Sequence, residues 1–398
     1  MMNKKNVHHP FPVWPQYEQD EIDAVVEVLQ SGKNNAWVGD QVLSFEREFA
    51  SFIGAPYAIA VCNGSVALEL ALYSMGIGPG DDVIVPCKSF IASASSVVMR
   101  SARPIFADVD PQSQNITVAN IKKVITPKTR AIIVVHLAGW PCEIESICKY
   151  ARQNKLKVIE DCAQAHGAKY KGKYVGSFGD AAAFSFCHDK IMTMGEGGIL
   201  LLRDKENWQR AWSYKDHGKD YNVTRNQSDK FVFQWVHNSF GTNWRLTEMQ
   251  AAIGRIQLKK LPQWTMKRRS NAQALIHDLK DISGIRIYEP PEYIEHAYYR
   301  CYAFIDSKQF QPGWNRDKIV IEINNKGVPC FEGSCSEIYL EKAFVNAHLS
   351  PSVRLPTGRR LAEESICFLV HPTLNKKDIK VISNILRSIL TVATKNVT

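Results

Sequence analysis

An apolar run that ends in a carboxylate and is followed by a distant lysine constrains this chain more than any other feature. Residues 158–160 lead into Asp161, and Lys190 stands 29 residues further on, at the end of the run FSFCHDK. A glycine cluster, GEGG at 195–198, follows the lysine. In an open α/β sheet, ligands bind beyond the carboxyl ends of the strands. The order therefore predicts one site that combines an acid, an amine and short hydrogen-bond donors.

That combination is what pyridoxal phosphate (PLP) requires of a protein. A carboxylate such as Asp161 keeps the pyridine nitrogen protonated, so that the ring can act as an electron sink. The amine of Lys190 can condense with the cofactor aldehyde, and serine and glycine supply donors around the phosphate. Each residue alone also has a structural interpretation, because an aspartate at a strand end often caps a helix and most lysines are solvated. Only the joint order favours the cofactor.

The first two thirds of the chain alternate short β-rich runs with helical patterns. This alternation predicts a large α/β domain with a mostly parallel central sheet. Helices are predicted at 65–75, 89–99 and 144–154, the first of them capped by Ser65 and stopped at Gly76. The predicted strands cover residues 57–62, 82–86, 104–108, 130–136, 157–161, 181–186 and 198–203.

The last third of the chain predicts a smaller C-terminal α+β domain. A long helical pattern at 245–279, interrupted by Pro262, links it to the large domain. We therefore divide the chain into a PLP-binding domain at 1–255 and a small domain at 256–398. The polar stretch 216–238 is predicted to be a long loop. Further elements are predicted as a strand at 301–305 and helices at 317–326 and 377–390.

Composition excludes several classes of protein. A 398-residue chain with 45% hydrophobic and 22% charged residues is typical of an ordinary soluble protein. We recognise neither a secretory signal nor an apolar stretch near the roughly 18 residues of a membrane span, so we expect no membrane association. The ten cysteines are expected to be reduced thiols in a cytoplasmic protein, without a metal site. The net charge of +9 is spread along the chain, which disfavours nucleic acid and suits an anionic substrate.

The joint order of these motifs resembles the DegT/DnrJ/EryC1/StrS family of PLP-dependent sugar aminotransferases, within the aspartate aminotransferase fold type I. The resemblance runs from about Gln16 to the C-terminus. It implies that Lys190 anchors the cofactor and moves a proton, and that Asp161 faces the pyridine nitrogen. The other cofactor-binding residues implied are Gly64, Ser65 and Ser185 around the phosphate, Phe90 stacked on the ring and Gln164 at its phenolic oxygen.

Two further segments bear on assembly and substrate. The run GTNWR at 241–245 resembles a family motif whose asparagine, here Asn243, reaches the phosphate in a neighbouring subunit. The resemblance therefore implies a homodimer with shared active sites, and it places His217 and Arg245 near the substrate. The run GVPCFEGSC at 327–335 departs from the family pattern, in which a tyrosine and prolines follow the glycine. This departure leaves the cofactor chemistry intact and the substrate open.

The activity implied is amino transfer from L-glutamate to a nucleotide-linked keto-sugar, commonly at C-4 of a 6-deoxyhexose, through the pyridoxamine phosphate form of the cofactor. The product would enter a surface polysaccharide such as lipopolysaccharide. Three alternatives stay open. Some relatives carry histidine in place of the lysine and are sugar dehydratases, so Lys190 counts against a dehydratase. A cyclitol aminotransferase fits the same motifs. The intact set of site residues argues against a non-catalytic binding or regulatory protein with the PLP fold.

Overall fold

The computed structural model describes residues 10–225 and 235–394. The strands in these ranges are β1 (Tyr57–Val61), β2 (Asp82–Pro86), β3 (Arg103–Ala107), β4 (Thr129–Val135), β5 (Lys157–Asp161), β6 (Lys169–Tyr170), β7 (Lys173–Tyr174), β8 (Ala181–Ser185), β9 (Gly198–Leu202), β10 (Ile285–Arg286), β11 (Ile294–Glu295), β12 (Cys301–Ile305), β13 (Cys330–Phe331) and β14 (Ser365–Phe368).

The helices in the same ranges are α1 (Gln19–Ser31), α2 (Gln41–Ile53), α3 (Gly64–Ser74), α4 (Ala92–Met99), α5 (Val118–Lys122), α6 (Ile144–Gln153), α7 (Lys205–Lys215), α8 (Tyr221–Arg225), α9 (Glu248–Leu279), α10 (Arg316–Asn325), α11 (Lys342–Asn346), α12 (Pro356–Glu364) and α13 (Lys376–Ala393). Among the described residues, none of these helices has the length and apolar character needed to cross a membrane.

A seven-stranded sheet in the order β1-β9-β8-β5-β4-β2-β3 forms the centre of the molecule. The pairs from β8 to β3 are parallel, and β9 runs antiparallel to both of its neighbours. Every residue of β2, β8 and β9 is buried, as expected for strands covered by helices on both faces. The predicted α/β class with a mostly parallel sheet is confirmed, and all seven predicted strands form within one or two residues of their expected bounds.

A second, antiparallel sheet in the order β10-β12-β14-β13 lies in the C-terminal part. Its apolar side chains pack with those of α9, α10 and α13, for example Leu275, Ile319 and Ile382. The strand predicted at 301–305 is β12, and the helices predicted at 317–326 and 377–390 are α10 and α13. The proposed boundary at 255/256 falls inside α9, and the division into two domains stays a prediction.

Three local predictions are corrected. Helix α9 continues through Pro262, where Thr265 Oγ1 donates to the carbonyls of Leu261 and Pro262 at 3.0 Å. Packing of buried residues on either side of the proline outweighs its low helix propensity. The cap of α3 is Asn63 rather than Ser65, because the Asn63 side chain accepts the Val66 N–H at 3.0 Å.

The stretch predicted as a loop at 216–238 contains the short helix α8. Asp220 caps this helix by accepting the Val223 N–H at 2.9 Å, a signal that the sequence carried. Residues 226–234 of the predicted loop lie outside the described residues.

The Glu160 carboxylate is a buried anchor for the end of the central sheet. It accepts hydrogen bonds from His136 Nε2 at 3.0 Å and from the N–H groups of Gly176, Phe178 and Gly179 at 2.7–2.8 Å. Burial by itself would raise the pKa of Glu160, but these donors hold that pKa below its ordinary value. His136 Nδ1 in turn accepts the Cys142 N–H at 2.9 Å. His136 and Glu160 thus form hydrogen bonds with groups of the protein itself, although their side-chain atoms lie close enough to each other to bind a metal ion.

Replacing Glu160 with Gln is expected to destabilise the protein by roughly 3 kcal/mol or more, because an amide NH₂ would face buried N–H groups. A lower denaturation midpoint in urea would show it. The matched control is Glu363→Gln, an exposed residue paired with Arg359, which should stay within about 0.5 kcal/mol of wild type. Because the folded-state pKa of Glu160 is lowered, its contribution is present above the unfolded pKa of about 4.3 and lost as pH falls through the folded value. Equal midpoints for the two variants would contradict this role.

Candidate active site

One cavity of about 780 Å³ gathers most of the predicted site residues. It opens beyond the carboxyl ends of β5 and β8, where ligands bind in sheets of this kind. The predicted residues that line it are Gly64, Ser65, Phe90, Asp161, Gln164, Ser185 and Lys190. The sequence prediction that these side chains share one site therefore agrees with the geometry.

The start of α3 provides a cradle for an anion. Asn63 caps the helix, and the following residues Gly64 and Ser65 present its first N–H groups to the cavity. A Cβ atom at Gly64 would lie 2.5 Å from Ser185 Cβ, so only glycine lets the helix start approach β8 this closely. Free N–H groups, the positive end of the helix and the Ser185 hydroxyl form an arrangement suited to phosphate.

Asp161 is buried at the end of β5 and is fixed by two donors. Its Oδ2 accepts the Ser93 hydroxyl at 2.7 Å, and its Oδ1 accepts the Ala163 N–H at 3.2 Å. Ser89 Oγ lies 2.7 Å from Ser93 Oγ, which extends the chain of hydrogen bonds. Burial raises the pKa of Asp161, while the Ser93 hydroxyl and the charge of Lys190 act against the rise. A cation beside this carboxylate would favour its ionised form.

Ser89 and Ser93 support Asp161, and the sequence analysis assigned neither of them a role. Ser93 lies in the first turn of α4, and Ser89 lies in the loop between β2 and that helix. Both follow the carboxyl end of a predicted strand, where ligands bind, so their position in the sequence was a signal. The signal is weak, because serine at a helix start is also an ordinary cap.

Lys190 points its amine toward the cavity from the loop after β8. Its Nζ lies 3.8 Å from Asp189 Oδ1 and 4.9 Å from the centroid of the Tyr299 ring, and its side chain is 15% exposed. Asp189 also accepts the Tyr299 hydroxyl and an Arg300 N–H, the latter at 3.1 Å. The Trp14 indole N–H donates to the Lys190 carbonyl at 2.8 Å and fixes its backbone. The Lys190 amine thus lies beside one carboxylate and one aromatic ring.

Phe90 and Gln164 complete the walls of the cavity. The Phe90 ring is 64% exposed and lines the cavity, which is what an aromatic platform for a stacked ligand would require. Gln164 Oε1 accepts the Ala138 N–H at 2.8 Å, and its Nε2 donates to Ser334 Oγ at 3.4 Å. The Gln164 side chain is therefore fixed by one hydrogen bond at its amide oxygen and one at its amide nitrogen.

The residues fit PLP in kind. Asp161 offers a buried carboxylate for the pyridine nitrogen, and Lys190 offers an amine for the aldehyde. Phe90 offers an apolar ring face, and the start of α3 with Ser185 offers donors for the phosphate. The pyridine nitrogen, the aldehyde, the ring face and the phosphate of the cofactor thus each have a matching group in the cavity.

His217, Asn243 and Arg245 do not line this cavity. They lie together in a neighbouring segment, where Arg245 donates to the buried Asp216 at 2.8 Å and the Asn243 backbone pairs with Asp216. The Cys62 N–H donates to the Trp244 carbonyl at 3.0 Å. This hydrogen bond holds the segment that contains Asn243 and Arg245 next to the residues that lead into the cavity-lining start of α3. The predicted role of Asn243 in a neighbouring subunit's site stays a prediction.

Comparison with known proteins identifies the family of this chain. The model of the DegT/DnrJ/EryC1/StrS aminotransferase family matches residues 15–387. A solved aminotransferase from Psychrobacter cryohalolentis superposes with a TM-score of 0.93 at 48% identity, over 96% of this chain and 98% of that chain. GDP-perosamine synthase of Caulobacter vibrioides is 42% identical over 63% of this chain and 64% of its own length. GDP-perosamine synthase of Escherichia coli O157:H7 is 37% identical over 72% of this chain and 76% of its own.

The fold and the site define a PLP-dependent aminotransferase. The chain belongs to the DegT/DnrJ/EryC1/StrS family, and it is a sugar aminotransferase of that family. The predicted family, enzyme class and cofactor are confirmed.

Replacing Asp161 with Asn keeps the shape of the side chain but removes its charge. The Ser93 hydroxyl still has an acceptor, whereas a pyridine nitrogen bound at this carboxylate would lose the anion that keeps it protonated. We expect the turnover number to fall by about a hundredfold or more, which corresponds to roughly 3 kcal/mol of lost transition-state stabilisation. Single-turnover rates with the cofactor-loaded variant measure this directly. Activity near that of wild type would mean that Asp161 faces something other than the ring nitrogen.

Proposed function

We propose that this protein transfers the amino group of L-glutamate to a nucleotide-linked keto-sugar, a 4-keto-6-deoxyhexose, in the cytoplasm. The observation that carries the proposal is the Lys190 amine, which lies at the wall of a cavity of about 780 Å³ together with Asp161. A cavity of this size has room for a cofactor and a further ligand. The two relatives named GDP-perosamine synthase support a nucleotide-linked sugar substrate.

The roles of the protein's own residues follow from their chemistry. PLP, when bound, supplies an electron sink that stabilises negative charge on carbon next to the transferred nitrogen. Asp161 would pair with the ring nitrogen and keep it protonated, and Lys190 Nζ would hold the cofactor and then serve as the base that takes up and returns a proton in each half of the transfer. Amino transfer needs a base that returns the proton at a second carbon, so a lysine at this position favours it over dehydration.

Basic groups at the cavity suit the anionic substrates. Arg300 lines the cavity with a side chain that is 22% exposed, and it lies 3.1 Å from Asp189. Both proposed substrates carry negative charge, L-glutamate as carboxylates and the nucleotide-linked sugar as phosphates. A guanidinium at the wall can pair with either group. The amino sugar would enter a surface polysaccharide such as lipopolysaccharide.

The purified, cofactor-loaded enzyme should change its visible absorption when L-glutamate is added, because glutamate converts the cofactor to its amino form. Supplying 4-keto-6-deoxyhexoses linked to GDP, UDP or dTDP should then restore the starting spectrum and yield an amino sugar by mass spectrometry. Lys190→Ala should lose turnover, whereas Lys157→Met, a surface change at the far end of β5, should retain it.

Other outcomes of the same assay distinguish the alternatives. A product that lacks an oxygen and gains no nitrogen would identify a dehydratase. Turnover of a keto-cyclitol in place of every nucleotide-linked sugar would identify a cyclitol aminotransferase. A spectrum that does not respond to glutamate or to any other amino donor would indicate a non-catalytic protein.

We also propose that the working unit is a homodimer in which Asn243 completes the partner's phosphate site. Asn243 lies beside the cavity wall of its own chain without lining the cavity, which supports a role across an interface. Asn243→Ala and Lys190→Ala subunits are each expected to be impaired alone. A mixed dimer contains one site with an intact Lys190 and an intact Asn243 from the partner. Co-expression of the two should therefore recover about half of the wild-type activity per mixed dimer.

A fully active monomer in sedimentation would contradict the shared site. The absence of complementation would also contradict it, provided that mass spectrometry confirms the mixing and that Asn243→Ala alone is defective.

A further inference from the structure

Lys88 is a fully buried lysine two residues before Phe90, and its ammonium group is completely hydrogen-bonded. Nζ donates to Ser336 Oγ at 2.6 Å, to the Ser334 carbonyl at 3.2 Å and to Ser365 Oγ at 3.4 Å. An ammonium has three N–H donors, and here each has one acceptor. Burying a charge is costly unless it is hydrogen-bonded, and these three acceptors offset that cost, so the position of Lys88 depends on all of them.

Two of these acceptors belong to or adjoin the segment 331–335, which we call the 331–335 loop. Phe331, Gly333, Ser334 and Cys335 all line the cavity, and only the first of them lies in a strand. A Cβ atom at Gly333 would lie 2.2 Å from the Tyr302 hydroxyl, and the Gly333 φ is +99°. The loop therefore depends on side-chain contacts, rather than on regular structure, for its position at the cavity wall.

Neighbouring contacts join the same loop to the cofactor side of the cavity. The Ser89 N–H donates to the Cys335 carbonyl at 3.1 Å. Ser334 Oγ accepts from Gln164 Nε2 at 3.4 Å, and Ser89 leads through Ser93 to Asp161. Hydrogen bonds other than those of Lys88 thus also connect the 331–335 loop to the cofactor-binding residues.

We propose that Lys88 is a positioning residue that clamps the 331–335 loop against the cofactor-binding segment and so determines which sugar the cavity accepts. The proposal rests on the proposed function, since it assigns the loop to the sugar side of that cavity. Lys88 does not line the cavity and acts only through the loop that it holds. Its loss should weaken binding of the sugar substrate more than it slows the reaction with glutamate.

The charge state of Lys88 provides a pH-dependent readout of the clamp. Burial lowers the pKa of Lys88 to about 8, so that above this pH the amine keeps only two N–H donors for three acceptors. The KM for the sugar should therefore rise as pH increases through about 8 in wild type, and this rise should be missing in Lys88→Met. The groups that face Lys88 are the thiols of Cys87, Cys335 and Cys367, the Arg316 guanidinium and the Tyr302 ring.

The test compares Lys88→Met with Ser336→Ala and with the surface control Lys157→Met, all as cofactor-loaded enzymes. Lys88→Met should raise the KM for the nucleotide-linked keto-sugar by about tenfold and leave the rate of the glutamate half-reaction within about threefold of wild type. Ser336→Ala, which removes one acceptor of three, should produce a smaller change in the same direction. Lys157→Met should match wild type.

Alkylation of Cys335 reports on the loop without any turnover. This thiol is exposed on the loop, and its labelling by iodoacetamide can be followed by peptide mass spectrometry. Lys88→Met should label Cys335 several-fold faster than wild type, while Cys187, on another wall of the cavity, should label at an unchanged rate.

An unchanged sugar KM in folded Lys88→Met overturns the proposal. If wild type turns over no nucleotide-linked keto-sugar, the proposed function fails, and the labelling of Cys335 then decides the clamp by itself. If Lys88→Met does not fold, the sugar KM of Ser336→Ala and the pH dependence in wild type decide it. Wild-type behaviour in both of those measurements would reject the clamp.

Discussion

The end of β5, where two buried carboxylates follow one another, is the constraint on which the rest of this structure depends. Successive side chains of a strand point to opposite faces, so Glu160 and Asp161 have different surroundings. Glu160 accepts hydrogen bonds from His136 and from the turn at 176–179. It thereby holds that turn and the end of β4 against the end of β5. Asp161 faces the cavity and accepts from Ser93. One dipeptide thus joins the stability of the fold to the chemistry of the site.

The cavity has one wall from the central sheet and its connections and another from the C-terminal part. Asp161, Ser185 and the start of α3 belong to the first wall and are proposed to hold the cofactor. The opposite wall includes Arg300 and the 331–335 loop. Substrate choice is proposed to lie on this second wall, where the sequence also departs from the family pattern.

Most of the fold could be predicted because short β-rich runs alternate with helical patterns along the chain, and all seven strands of the central sheet were found in this way. The errors occurred where tertiary contacts outweigh local preference. Pro262 lies inside α9 because buried packing on both sides supports the helix. Asn63 rather than Ser65 caps α3, since a cap depends on which side chain reaches the free N–H groups.

The sequence by itself determined which chemical groups the cavity offers, because a carboxylate at a strand end and a lysine after a serine-containing strand are both visible in it. It did not determine the supporting contacts. Lys88 and Ser334 are 246 positions apart, and Ser93 and Asp161 are 68 apart, so no local pattern relates them. The packing of the C-terminal part against the central sheet brings the first pair within hydrogen-bond distance, and the packing of α4 on that sheet brings the second. The tertiary structure therefore decided which buried groups orient Asp161 and which hold the 331–335 loop at the cavity.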